Sequence, residues 1–165
     1  MKVLICSDSH GLTDELIQVK QRHEADFYIH CGDSELTADH KALEGYEVVS
    51  GNCDFEPNFP NQLVLNAKDR IFVTHGHLYN VKSSLLSLQY QAQEHDANII
   101  CYGHSHILGI EKINNLLFIN PGSLRLPRMR KEKTYVLLHI SEEKWQVEVF
   151  ELTGEKIFDQ VFSKN

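Results

Sequence analysis

Val3-Leu4-Ile5-Cys6-Ser7-Asp8-Ser9-His10 sets four consecutive apolar residues against a carboxylate and an imidazole. Four later stretches repeat the arrangement. Phe27-Tyr28-Ile29 runs into Gly32-Asp33, and Val48-Val49 leads to Gly51-Asn52-Cys53-Asp54. Ile71-Phe72-Val73 leads to His75-Gly76-His77, and Ile99-Ile100 to Gly103-His104-Ser105-His106. Short β-branched and aromatic runs read as buried strands, and open α/β sheets bind ligands beyond the carboxyl ends of their strands. Five such junctions bring carboxylate, amide and imidazole groups to one place, which predicts a metal centre.

Between these junctions helices and strands alternate. Thr13 is placed to cap a helix running to about Ala25, with Leu16, Ile17 and the stem of Lys20 inward. Val81 to His95 reads as an amphipathic helix with Val81, Leu85, Leu88 and Ala92 on one stripe. Gln62–Asn66 and Arg70–Thr74 form a predicted hairpin around Ala67-Lys68-Asp69. From Leu108 onward strands dominate: 108–113, 116–119, 135–140, 145–152 and 156–162, with turns at Asn114-Asn115 and Thr153-Gly154-Glu155. Two sheets packed face to face with helices on their outer faces bury these runs, and no repeat or linker divides the chain, so residues 1–165 read as one α/β (α+β) domain.

Bulk properties narrow the function. A chain of 165 residues buries roughly 70 % of its unfolded surface without covalent staples. The formal charge of −7 argues against a duplex nucleic-acid binder, which needs a basic face. It leaves room for a small phosphorylated substrate, because a bound cation reverses the field locally. Cys6, Cys31 and Cys101 lie in or beside apolar runs and no CxxC pair occurs, which argues against disulfides and a structural zinc knuckle. With no leader-like segment and no long apolar stretch, the expected location is the cytoplasm, with no membrane partner.

Asp8 or Asp33 alone reads as a turn former, and Gly51-Asn52 alone as a turn signal. The paired histidines are more specific, and with Asp8 and His10 they favour ligation; an extended segment lets both face one ion. Asp, Asn and His without thiolate suit catalytic Mn, Fe, Co, Ni or Zn sites. Seven ligands (Asp8, His10, Asp33, Asn52, His75, His104 and His106) fit two ions sharing a carboxylate, an arrangement suited to phosphoryl ester hydrolysis. His23, His30, His40, His95 and His139 read as structural or exposed.

D-x-H at 8–10, G-D at 32–33, G-N-x-D at 51–54, H-G-H at 75–77 and G-H-x-H at 103–106 together resemble the calcineurin-like metallophosphoesterases, in the same order. Asn120-Pro121-Gly122-Ser123 resembles a motif of the small bacterial and archaeal phosphodiesterase branch. The resemblance implies a four-layer α-β-β-α sandwich with a dinuclear site at one edge. It implies a first metal on Asp8, His10, Asp33 and His106, and a second on Asp33, Asn52, His75 and His104, with Asp33 bridging. It further implies Mn²⁺ as the foremost ion, with Ni²⁺, Co²⁺, Fe²⁺ or Zn²⁺ compatible, and a metal-held hydroxide that would attack phosphorus in a small phosphodiester.

Departures from the family pattern are informative. Most relatives carry His where this chain has Cys53, and a thiol is a poor acid at neutral pH, so activated diesters are the expected substrates. His77 is the remaining source of a proton or phosphate contact. Cys53 as a covalent nucleophile is the weaker alternative, since nothing evident activates it. Ser34-Glu35-Leu36 lacks the second Asp and the Arg of protein serine/threonine phosphatases, which argues against phosphoprotein substrates. Arg125, Arg128 and Arg130 read as a solvated loop or a clamp for a distal phosphate. A non-catalytic metal-binding interaction scaffold of the same fold, a nuclease and a nucleotide phosphatase are the rival readings, and a homo-oligomer through exposed hairpins is left open.

Overall fold

A computed structural model describes residues 1–164. In chain order its elements are β1 (Lys2–Cys6), α1 (Asp14–Arg22), β2 (Phe27–His30), β3 (Glu47–Val48), β4 (Gln62–Asn66), β5 (Arg70–Thr74), α2 (Leu86–Glu94), β6 (Ile99–Cys101), β7 (Leu108–Ile113), β8 (Leu116–Pro121), β9 (Thr134–Ile140), β10 (Lys144–Glu151) and β11 (Lys156–Ser163), with 3₁₀ turns at Lys41–Leu43 and His77–Tyr79. The strands form two mixed sheets, ordered β11-β10-β9-β1-β2-β3 and β4-β5-β6-β8-β7. Parallel pairing is confined to β1-β2-β3 in the first sheet and β5-β6-β8 in the second.

The continuous apolar runs follow from burial on both faces, since successive strand side chains point to opposite sides. Val3 and Ile5 of β1 face the space between the sheets, with Ile71, Val73, Ile99, Cys101, Leu138 and Trp145. Leu4 and Cys6 face outward onto Leu16 and Val19 of α1. In the second sheet Phe72, Ile100 and Phe118 face outward onto Leu88 and Ala92 of α2. Helix, sheet, sheet and helix therefore stack as four layers. Trp145 is almost fully buried, and its indole N–H donates to Asp69 Oδ2 at 2.6 Å.

Both helices are shorter than their apolar stripes predict. α1 stops at Arg22, where His23 turns extended and its carbonyl accepts from the Tyr28 hydroxyl, and Thr13 makes no side-chain cap. Val19 is buried on this helix, whereas Lys20 reaches the Glu44 carbonyl and lies 5.2 Å from the centre of the Tyr28 ring. Residues 81–85 are not helical. Asn80 is left-handed, its carbonyl takes the amides of Ser83 and Ser84, and the Ser84 hydroxyl accepts from Leu86 N–H. Serines compete with the helical backbone in this way. Val81 is buried all the same, from a turn rather than from a helix.

All four cysteines are free, and Cys6, Cys31 and Cys101 are buried. Among the described residues no helix is long and apolar enough to cross a membrane.

Leu138 is fully buried between the sheets, so Leu138→Ala is expected to cost about 3 kcal/mol, within the usual 2–5 kcal/mol for such truncations. Thermal denaturation should then show Tm lower by roughly 6–12 °C. Val161→Ala, on a half-exposed edge position, should leave Tm within about 2 °C.

Candidate metal centre

The loops after β1, β2 and β3 and those after β5 and β6 lace together at one edge of the sandwich. Asp8 N–H donates to Gly32 O at 3.0 Å and His10 N–H to Asp33 O at 2.9 Å, continuing the β1–β2 pairing past the strands. Gly103 N–H donates to His75 O at 2.9 Å in the other sheet. Among the bonds that cross between the sheets at this edge are His104 N–H to Asp8 Oδ2 at 3.2 Å and His75 Nδ1 to the Cys31 carbonyl at 2.7 Å.

Asp8 and His10 do share a face, but not through an extended segment. Asp8 (φ 53°), His10 (φ 43°), Asp33 (φ 57°), His104 (φ 68°) and His106 (φ 59°) are all left-handed. Positive φ is uncommon outside glycine, is most tolerated by Asn, Asp and His, and costs roughly 1–3 kcal/mol per residue. Glu35 (φ 55°) completes the pattern, so each of Asp8-Ser9-His10, Asp33-Ser34-Glu35 and His104-Ser105-His106 has a serine between two left-handed residues.

Five side chains converge tightly. Asp8, His10 and His106 form one metal-capable group, and Asp8, Asp33 and His75 form another. His106 Nε2 stands 3.2 Å from Asp8 Oδ1 and 3.2 Å from His10 Nε2. His75 Nε2 stands 3.2 Å from Asp33 Oδ2, 3.8 Å from Asp8 Oδ1 and 3.1 Å from Asn52 Oδ1. His10 Nε2 lies 3.9 Å from both carboxylates. Asp8 is thus common to both groups, while Asp33 Oδ2 faces both His10 and His75. His104 lies outside these groups, with its ring 5.1 Å from that of His75.

The tautomers follow from the outer partners. A carbonyl only accepts, so His75 carries its proton on Nδ1 toward Cys31 O, and His106 carries its own on Nδ1 toward Leu126 O at 2.8 Å. Their Nε2 lone pairs are left facing the carboxylates, as metal-ligating histidines require. His30 has the opposite arrangement. Its Nδ1 accepts from Gly32 N–H, so Nε2–H donates to the Ser9 hydroxyl at 2.8 Å, and Ser9 is not activated as a nucleophile. This buried ring is structural, and burial lowers its pKa to about 4.

Asp8 supplies the test of metal fit. The residue is fully buried; Oδ2 accepts from Ser7 Oγ at 2.6 Å and from His104 N–H, but Oδ1 has no hydrogen-bond partner. Burial opposes ionisation of Asp8, yet the adjoining His106, His75 and Ser7 outweigh it and hold the carboxyl below its ordinary range. Burial likewise opposes ionisation of Asp33, which His75 and the Cys53 amide more than offset. Two carboxylates with imidazole nitrogens 3.2–3.9 Å from them are a donor set for divalent cations. The residues fit the metal.

Cys53 and His77 sit at the margin. Cys53 N–H donates to Asp33 Oδ1 at 2.8 Å, while burial and the neighbouring Asp33 push its thiol up to about 11. Both effects hold the thiol toward its protonated form at neutral pH. His77 Nδ1 is buried without a partner, and its ring lies 5.4 Å from that of His75.

Several residues that hold the site carry little signal of their own. Asp54 accepts from the amides of Asp33 (2.8 Å), Gly51 (2.7 Å) and Glu35 (2.7 Å), binding the second and third loops together. The Ser123 hydroxyl donates to Asp8 O at 2.7 Å, and Asn120 Nδ2 donates to Gly103 O and Ser105 Oγ. Glu35 stands 3.6 Å from His10 Nδ1.

A family model described as the calcineurin-like phosphoesterase superfamily domain matches residues 1–143. The chain belongs to that superfamily. It is 51 % identical over 162 residues to the probable metallophosphoesterase YsnB of Bacillus subtilis, covering 96 % of each chain. It is 28 % identical over 167 residues to phosphodiesterase YfcE of Escherichia coli, covering 84 % of this chain and 87 % of that one. The crystal structure of a predicted phosphoesterase from Streptococcus pneumoniae superposes with a TM-score of 0.94 at 34 % identity, covering 98 % and 97 % of the two chains. Vacuolar Protein Sorting 29 of Cryptosporidium parvum superposes with a TM-score of 0.82 at 22 % identity over 99 % and 98 %, a likeness of fold. This superfamily member is an enzyme, a metallophosphoesterase.

A Cβ at position 103 would fall on the Ser7 hydroxyl and 2.6 Å from Asp8 Oδ2. Gly103→Ala should therefore displace the Asp8 carboxylate and weaken divalent-ion binding at least about tenfold, roughly 1.4 kcal/mol. Calorimetric titration with Mn²⁺ checks this. Gly109→Ala, where the nearest atom is 3.8 Å away, should bind as the wild type does.

Proposed function

We propose that this metallophosphoesterase is a phosphodiesterase acting on small phosphodiesters with two divalent ions, Mn²⁺ foremost. The first ion is assigned to Asp8, His10, Asp33 and His106, and the second to Asp33, Asn52, His75 and His104. The observation that carries the reading is the unpartnered Oδ1 of buried Asp8 amid imidazole nitrogens. When bound, the ions acidify water and offset the charge of the phosphate oxygens.

The chain's own groups do the rest. The Cys31 and Leu126 carbonyls fix the rings of His75 and His106 before any ligand arrives, so little reorganisation accompanies binding. Asp54 holds the Asp33 and Gly51-Asn52 loops in register. His77, with a buried unpartnered Nδ1, is the group assigned to contact the phosphate or its departing oxygen. Cys53, protonated and flanked by Asp33, offers no strong acid, which favours diesters with good leaving groups. The similarity to a protein named phosphodiesterase supports diesters over monoesters.

Residues 1–165 are assigned to one catalytic domain, since β9 to β11 pair onto β1 and continue its sheet. Free buried cysteines favour a reducing cytoplasm, and the net charge of −7 disfavours duplex nucleic acid.

Purified protein with Mn²⁺ and bis-p-nitrophenyl phosphate should release nitrophenolate, and Asp33→Ala should reduce kcat/KM by on the order of 10³-fold. Absence of release with each of Mn²⁺, Ni²⁺, Co²⁺ and Fe²⁺ contradicts the assignment.

A further inference from the structure

A groove of about 510 Å³ opens beside the metal centre, between the turn at residues 81–84 and β7. This lies within the range of small-molecule sites, roughly 300–1,000 Å³. One wall includes Ser105, the residue between His104 and His106, so the groove begins where the catalytic donors end. Leu85, Tyr102 and Ile107 give it an apolar lining, and Ile107 is 40 % exposed.

Two cations line it, Lys82 and Arg128. The Arg128 segment is pinned by its amide, which donates to His106 O at 2.9 Å. Arg125 and Arg130 are otherwise engaged, with the His10 carbonyl and with Glu132 at 3.8 Å. Among the described residues Lys82 and Arg128 form no ion pair, and Glu111 is the one acid lining the groove. Uncommitted cations flanking the active centre of a chain of net charge −7 attract an anion.

We propose that this groove is a substrate subsite in which Lys82 and Arg128 bind a second phosphate, carried on one ester arm, while Leu85, Tyr102 and Ile107 contact the body of that arm. The preferred substrate is then a phosphodiester with an additional phosphomonoester, of nucleotide size. The inference rests on the phosphodiesterase reading above and names the substrate class of that site.

The test compares thymidine 5′-(p-nitrophenyl phosphate) with its 3′-phosphorylated counterpart at low salt with Mn²⁺. KM should be on the order of tenfold lower for the 3′-phosphorylated ester, as two charge-assisted contacts allow. In Lys82→Ala/Arg128→Ala that ratio should fall to within about twofold. Arg130→Ala should keep it, and Glu111→Gln should enlarge it. Calorimetric Kd values for thymidine 3′,5′-bisphosphate and thymidine 5′-monophosphate should give the same ratio. Equal KM and Kd for the paired ligands in the wild type, or a ratio surviving in the double variant, overturns the subsite. Cleavage of neither ester contradicts the phosphodiesterase reading, and the calorimetric ratio then still decides whether the groove takes the second phosphate.

Discussion

The buried carboxylate of Asp8 is the constraint around which the molecule is arranged. An ionised carboxylate removed from water costs several kcal/mol unless it is paired and hydrogen-bonded. One oxygen is satisfied by Ser7 and the His104 amide; the other has only imidazole nitrogens before it. A divalent cation resolves that imbalance; without one, contact with Asp8 raises the pKa of His106. Metal binding and the stability of this edge are therefore linked, since a ligand that binds only the native arrangement stabilises it.

Two sheets are needed because neither supplies the proposed donors alone. The first brings Asp8, His10, Asp33 and Asn52; the second brings His75, His104 and His106. The Cys31 carbonyl on one side orients His75 on the other, and glycines permit the close approach. A Cβ at Gly51 would meet the Asp33 carboxylate and stand 2.6 Å from the Asp33 amide nitrogen. The strained left-handed residues lie in these same loops, where dense hydrogen bonding holds them. The sandwich itself does not dictate chemistry, as the likeness to Vacuolar Protein Sorting 29 illustrates. The donor set beyond its strands does.

The strands and their junctions were legible because burial on both faces produces apolar runs, and carboxylates or imidazoles cannot follow such runs casually. Gln62–Asn66, Arg70–Thr74 and Leu108–Ile113 emerge with their expected ends. The start of α2 was not legible, since Val81 and Leu85 fit a helical stripe while Ser83 and Ser84 turn the backbone instead. The roles of Ser7, Asp54, Ser123 and Glu35 were equally hidden. Such residues act through backbone amides and carbonyls or as outer partners of a ligand, and in sequence they look like ordinary turn formers. Lys82 carries no signal of its own in the sequence; only the fold brings it, with Ser105 and Arg128, into the lining of one groove.

Diffraction from crystals grown with excess Mn²⁺, measured at the manganese absorption edge, tests the central claim most directly. Two anomalous peaks should appear, one within bonding distance of Asp8 Oδ1, His10 and His106, the other of Asp33, Asn52 and His75. Anomalous density confined to surface carboxylates, with Asp8 Oδ1 still unpartnered, would contradict the account.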